Sequence, residues 1–152
     1  MNIFPRHTRY QGAIMVGSRI LLIRHEEHHN GRTYWLLPGG GREEGESEEE
    51  CVIREMREET NLEVRVERLL VEQDSTHPNP VYAHYKTYLC TPIGGEAQPG
   101  YEPEFEASSI YKIAEVRWVD IWDRSTWDPR MTEDPITSTN LERVRQALEG
   151  QR

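Results

Sequence analysis

Cysteine is scarce in this chain. Cys51 and Cys90 are the only two in 152 residues, and they form no CxxC pair. That argues against a disulfide scaffold and fits a reducing compartment. Positive charge is also in deficit, with 18 Lys and Arg against 27 Asp and Glu and a net charge of −9. Such a balance argues against general binding to DNA or RNA, which wants a basic face. It leaves room for small phosphate ligands if a divalent metal mediates. No apolar run approaches the ~20 residues needed to span a membrane. The opening residues, MNIFPRHTRY, lack the apolar stretch of a signal peptide, so a cytoplasmic location is expected. A chain of this length, 36% hydrophobic, can bury a core without staples. One domain over residues 1–152 is the expectation.

Short patterned segments fill the chain. Gly12–Arg24 reads GAIMVGSRILLIR, two apolar runs around Gly17-Ser18, and predicts a β-hairpin. Asn30-Gly31 signals a further turn, and YWLL a short strand stopped by Pro38 and three glycines. LEVRVERLLVEQ, VYAHYKTYLCTPI and EVRWVDIW read as later strands. GGEAQPGYEPEFEASS reads as an exposed loop, and Asp123–Ser138 as irregular. Thr139 to Glu142 fits a helix-opening capping box. A stripe of Leu141, Val144 and Leu148 follows, closed by Gly150. No internal repeat or domain boundary is visible. The order of elements predicts an α/β or α+β fold.

Charge is concentrated in Gly41–Thr60, GREEGESEEECVIREMREET. Nine glutamates and three arginines there carry −6 of the chain's −9. Ser47 and Glu50 predict a capping box opening a helix from about Glu48 to Thr60, with Val52, Ile53 and Met56 on its buried side. Glu48, Glu49 and Glu50 suit the positive helix N-terminus. Asn61 suits the left-handed residue that closes a helix. Glu55, Glu58 and Glu59 have no such explanation. Their spacing puts all three on one face, where like charges destabilise an isolated helix by a few tenths of a kcal/mol per pair. Arginine can offset this, since Arg54 reaches Glu58 at i+4. So can a hard divalent cation, which seeks clustered carboxylate oxygens. On spacing alone a solvated charged face is the commoner explanation. LPGGG immediately before the helix reads either as a plain turn or as a place for close backbone approach.

The full pattern is more specific. Gly40, Glu46, Arg54, Glu55, Met56, Glu58, Glu59 and Leu62 fit G-x5-E-x7-R-E-U-x-E-E-x-G-U, where U is bulky and aliphatic. This resembles the Nudix box, with Asn61 in place of the last glycine. The strands around it are similar to the family's, so the resemblance covers most of the chain. It implies an α/β/α sandwich around a central mixed β-sheet. It also implies hydrolysis of a nucleoside diphosphate linked to another moiety, with Mg2+ or Mn2+. ADP-ribose or a nucleotide sugar is the favoured substrate. A modified nucleoside triphosphate is the alternative, as is a module that senses a nucleotide without cleaving it. By motif position, Glu55, Glu58 and Glu59 would be metal ligands. Arg54 would orient a carboxylate, and Glu46 would be structural. Gly39 and Gly40 would shape the loop and meet metal or phosphate, and Arg24 would touch phosphate. The expected partner is a small nucleotide, not a nucleic acid polymer or a membrane. A homodimer is suggested only by the family's habit.

The general base is not fixed by the box. The family often carries a carboxylate ahead of the late Trp strand, but six residues before Trp118 stands Lys112. Glu115 and the loop residues Glu102, Glu104 and Glu106 are substitutes, each of which also reads as a solvated charge. His25, His28 and His29 read as part of an exposed hairpin loop. Tyr34, Trp35, Tyr82, Tyr85 and Tyr88 suit either base stacking or sheet packing. Trp118 reads as core, and Cys51 as packing. Pro78 has a spacing seen in ADP-ribose hydrolases of the family, though a plain loop proline fits as well.

Overall fold

The computed structural model describes residues 7–75, 82–101 and 111–150. In chain order the strands are β1 (Thr8–Val16), β2 (Arg19–Glu27), β3 (Thr33–Leu36), β4 (Gly39–Gly41), β5 (Glu63–Asp74), β6 (His84–Gly94) and β7 (Tyr111–Asp120). The helices are α1 (Glu48–Thr60), α2 (Pro129–Glu133) and α3 (Pro135–Glu149), with a 3-10 turn at Arg124–Thr126.

The predicted first hairpin is present. Met15 pairs with Ile20 and Val16 with Arg19, and Gly17 takes φ +59° in the turn. Beyond the turn the two strands part. β1 runs parallel to β6 from Thr8–His84 to Ile14–Cys90 and antiparallel to β4. β2 runs antiparallel to β7 and β3, and β5 and β6 form a long antiparallel ribbon. The sheet is therefore mixed, and the architecture is the expected α/β/α sandwich.

Helices cover both faces, which explains the unbroken apolar run in β2: Ile20, Leu21, Leu22 and Ile23 are all buried. Alternation divides them. Leu21 packs with Tyr10, Ile14, Val52 and Met56 on the α1 side. Ile20 and Leu22 pack with Trp35, Val119, Leu141 and Val144 on the α3 side. Each fully buried Leu or Ile contributes about 1.5–3 kcal/mol. Among the described residues, no helix is long and apolar enough to cross a membrane.

Two expectations are corrected. Gly39–Gly41 is not a plain turn but a short strand against Arg9–Gln11. Its glycines serve close approach, since a Cβ on Gly39 would lie 2.3 Å from the Tyr10 carbonyl oxygen. Asp123–Ser138 is largely helical. Asp128 caps α2 and Asp134 caps α3, each followed by proline at the first helical position. Two Asp-Pro starts thus override the capping pattern at Thr139, which falls inside α3.

Candidate active site

Helix α1 forms where the sequence predicts. Ser47 Oγ accepts from the Glu50 backbone N–H at 3.1 Å, and Glu50 accepts from that of Ser47. Asn61 closes the helix at φ +63°. All of the last four carbonyls find donors: Arg57 O from Asn61 N, Glu58 O from Tyr101 N, Glu59 O from Gly100 N and Thr60 O from Gln98 N. The segment after β6 thus lies along the helix end and satisfies groups that helices leave open. Gly100 permits this contact, since a Cβ there would lie 1.8 Å from the Glu58 carbonyl oxygen.

Two of the three box carboxylates, Glu55 and Glu59, lie against β4. Glu55 is 2% exposed and Glu59 1%. Gly39 N donates to Glu59 Oε1 at 2.6 Å. A Cβ on Gly40 would lie 2.4 Å from Glu55 Oε1, so glycine makes space for that carboxylate. Arg54 ties the remainder together. Its Nε and Nη2 grip Glu46 at 2.6 and 2.9 Å, in a bidentate fork. Nη2 also donates to Gly41 O at 3.1 Å, and Nη1 donates to Glu55 at 3.0 Å and Glu58 at 3.2 Å.

These contacts shift protonation. Hydrogen bonds donated to Glu46, with the Glu55 and Glu46 charges, outweigh burial and raise the pKa of Arg54. Burial pushes Glu46 up, but Arg54 and the Glu43 backbone N–H pull it below its ordinary value. At Glu58 burial wins over Arg54, and the pKa rises. Among the described residues, no three His, Cys, Asp or Glu side chains already stand as a metal cage. The donor set nevertheless suits Mg2+ or Mn2+: hard carboxylate oxygens, two of them already gathered around one cationic nitrogen, Arg54 Nη1.

A pocket of about 740 Å³ is lined by Arg9, His25 and Trp35, by Tyr34, Tyr82, Tyr85 and Tyr111, and by residues from α2 and α3. Arg9 is 8% exposed. Its Nη2 donates to Leu37 O at 2.8 Å and its Nε to Gln11 Oε1 at 3.2 Å, while Gln11 donates to Thr87. Burial opposes the Arg9 charge, but Glu59, Tyr82, Tyr111 and Glu55 outweigh it and raise the pKa. The buried cation therefore connects the pocket electrically to the acidic box.

Arg9 and Gln11 were not anticipated from the sequence. Their signal is two polar residues alternating with the apolar positions of β1, just ahead of the predicted hairpin. His25 is a correction: it is buried in β2, which extends to Glu27, while His28 and His29 are exposed. Arg24 and Glu115 have partners of their own. They pair with each other across β2 and β7 at 3.4 Å, and Glu115 also binds Arg117 at 2.7 Å. Trp118 packs towards α1. Alternation from it puts Glu115 on the face opposite α1. Glu102, Glu104, Glu106 and Pro78 lie outside the described residues. Cys51 packs as expected, buried and with its pKa pushed up by that burial.

A family model described as the NUDIX domain matches residues 6–134. The ADP-ribose pyrophosphatase of Methanocaldococcus jannaschii is 32% identical over 108 residues, 68% of this chain and 63% of that protein. The NAD-capped RNA hydrolase NudC of Vibrio atlanticus is 28% identical over 109 residues, 72% of this chain and 35% of that one. A crystal structure of a UDP-X diphosphatase aligns at TM-score 0.71 and 26% identity, covering 100% of this chain and 66% of the other. The chain spans from about a third to just under two thirds of the length of the first curated relatives it matches. A family match over most of the sequence settles the kinship: this chain belongs to the Nudix family.

Proposed function

We propose that this protein hydrolyses the pyrophosphate linkage of a nucleoside diphosphate joined to a second moiety, with ADP-ribose or a nucleotide sugar as substrate. The observation that carries the reading is the meeting of two unlike surfaces. Glu55 and Glu59 are buried against β4, and buried Arg9, which feels both of them, lines an aromatic pocket. An anionic diphosphate suits the first surface only with a cation present, and a nucleoside suits the second. Relatives named for ADP-ribose, NAD-capped RNA and UDP-X support this class, since each name describes a nucleoside diphosphate bearing something else.

Glu55, Glu58 and Glu59 would hold Mg2+ or Mn2+. When bound, the ion supplies the positive charge that offsets the diphosphate and polarises phosphorus. Arg54 keeps Glu55 and Glu58 pointed at a common position while Glu46 fixes its guanidinium plane. Gly39 N–H holds one oxygen of Glu59. Arg9 counters the negative charge arriving at the pocket floor. The net charge of −9 favours a small, cytoplasmic nucleotide over an RNA polymer.

The test is a panel of ADP-ribose, nucleotide sugars, NAD, NAD-capped RNA and modified nucleoside triphosphates, each with Mg2+ or Mn2+ and with products separated by chromatography. Release of a nucleoside monophosphate from ADP-ribose or a nucleotide sugar is expected. Tight binding of a panel member without hydrolysis of any would replace the enzyme with a sensor. Preferred cleavage of the capped RNA would overturn the small-substrate assignment.

A further inference from the structure

Two buried polar atoms of residues that line the pocket have no hydrogen bond within the described residues: His25 Nε2 and Trp35 Nε1. His25 is 3% exposed and Trp35 2%, and both line the pocket. Leaving such a group buried and unsatisfied typically costs about 1–3 kcal/mol. A phenylalanine at position 25 would fill similar space without that penalty. Two such atoms in one cavity point to a ligand that completes them.

Both rings are held in place. His25 stacks on Tyr111 with centroids 3.9 Å apart and meets Tyr34 edge-on at 5.3 Å. The Trp35 ring has the Arg117 guanidinium at 4.8 Å and that of Arg24 at 5.9 Å, and its carbonyl accepts from Thr137 Oγ1. Neither ring needs to be ordered when a ligand arrives, which limits the entropic cost of binding. Burial, reinforced by Arg9, lowers the pKa of His25 to about 3. A neutral imidazole offers one donor and one acceptor nitrogen, whereas an indole N–H can only donate.

We propose that Trp35 Nε1 and His25 Nε2 are the specificity contacts for the nucleobase. Trp35 donates to a ring nitrogen or carbonyl of the base, and His25 bonds a second polar group of it. The tyrosine walls favour a flat heteroaromatic ring as occupant. The inference rests on the pyrophosphohydrolase reading and adds the residues that read the base.

The test uses Trp35→Phe and His25→Phe, which retain an aromatic ring and remove the polar atom. With a nucleotide sugar or ADP-ribose as substrate, KM should rise at least about ten-fold in each variant, with a smaller fall in kcat. Melting of unliganded His25→Phe should match or exceed the wild type, because an unsatisfied buried group has gone, whereas Trp35→Phe also leaves a cavity and is read by KM alone. A purely structural role would instead lower it. Wild-type protein assayed with substrates whose base nitrogens are replaced by CH probes the same contacts without mutation, and the same ten-fold rise is expected for one of them. KM within two-fold of wild type in both variants overturns the proposal. So does an equal loss on a diphosphate substrate lacking a base, which would place the sugar moiety there. If the wild type cleaves no panel member, calorimetry with AMP and UMP separates the two ideas. Binding weakened ten-fold by Trp35→Phe keeps the base contact while hydrolysis fails, and unchanged binding rejects both.

Discussion

Helices α1 and α3 cover opposite faces of one sheet, and each presents a modest apolar stripe to it. Helix α3 buries Leu141, Val144 and one polar residue, Thr137. Helix α1 buries Cys51, Val52 and Met56, and also Glu55, Glu59 and Thr60. The sheet needs a cover on each side, and α3 provides one without burying any carboxylate. The carboxylates inside α1 are thus not a requirement of packing. Buried charges demand partners, and α1 is surrounded by them: Arg54, the Gly39 N–H and the cation at Arg9. The difference teaches that the α1 side is organised around charge and the α3 side around shape.

The sharpest way to break this comparison is Glu58→Gln on α1. A ligand to an activating metal is worth several kcal/mol in the transition state, at about 1.4 kcal/mol per factor of ten. We expect kcat to fall about 100-fold or more. The melting temperature should hold or rise, because at Glu58 burial outweighs the Arg54 contact and works against the carboxylate's charge in the fold. An active variant would remove Glu58 from the metal site. The counterpart on α3 is Leu141→Ala, which should cost about 2–5 kcal/mol in denaturant unfolding while the folded enzyme keeps its kcat. A kcat loss as large as that of Glu58→Gln would erase the distinction between the two faces. Ser47→Ala removes the α1 cap, for about 1 kcal/mol of stability.

The smallest effect lies away from both helices. Half-buried His84 bridges Asp74 at 2.8 Å and Glu72 at 2.9 Å, and the two carboxylates raise its pKa, Asp74 foremost. A raised histidine contributes stability that is complete below its unfolded pKa near 6.5. That contribution disappears as pH climbs through the higher folded value. Melting should therefore fall slightly as pH rises above 6.5, within the roughly 0.2–1 kcal/mol of exposed pairs. In His84→Gln the slope should flatten, and an unchanged slope would locate its origin elsewhere.

Legibility in the sequence followed the range of the interactions. Helix α1, its Ser47 cap and its Asn61 terminus depend on neighbours within a few residues, and all were readable. Hairpin β1–β2 was readable for the same reason. Arg9 was not, because its environment exists only once β1 lies beside β6 and β4. His25 was misjudged from the turn after it, although strand alternation continues to Glu27. The position six residues ahead of Trp118 holds Lys112, and the substitute Glu115 stands an odd number of residues from Trp118, which in a strand leads to the opposite face. The Asp-Pro starts of α2 and α3 were local signals that a count of prolines obscured.

The four backbone bonds closing α1 have a mechanical consequence. Three of the donors, Gln98, Gly100 and Tyr101, belong to the segment leaving β6, and they are fastened to the very peptide units of Glu58, Glu59 and Thr60. One residue inserted or deleted between Gly95 and Gly100 would throw that stitching out of phase and twist the last turn of the helix. The length of a connector with no chemistry of its own thereby calibrates where two acidic side chains aim.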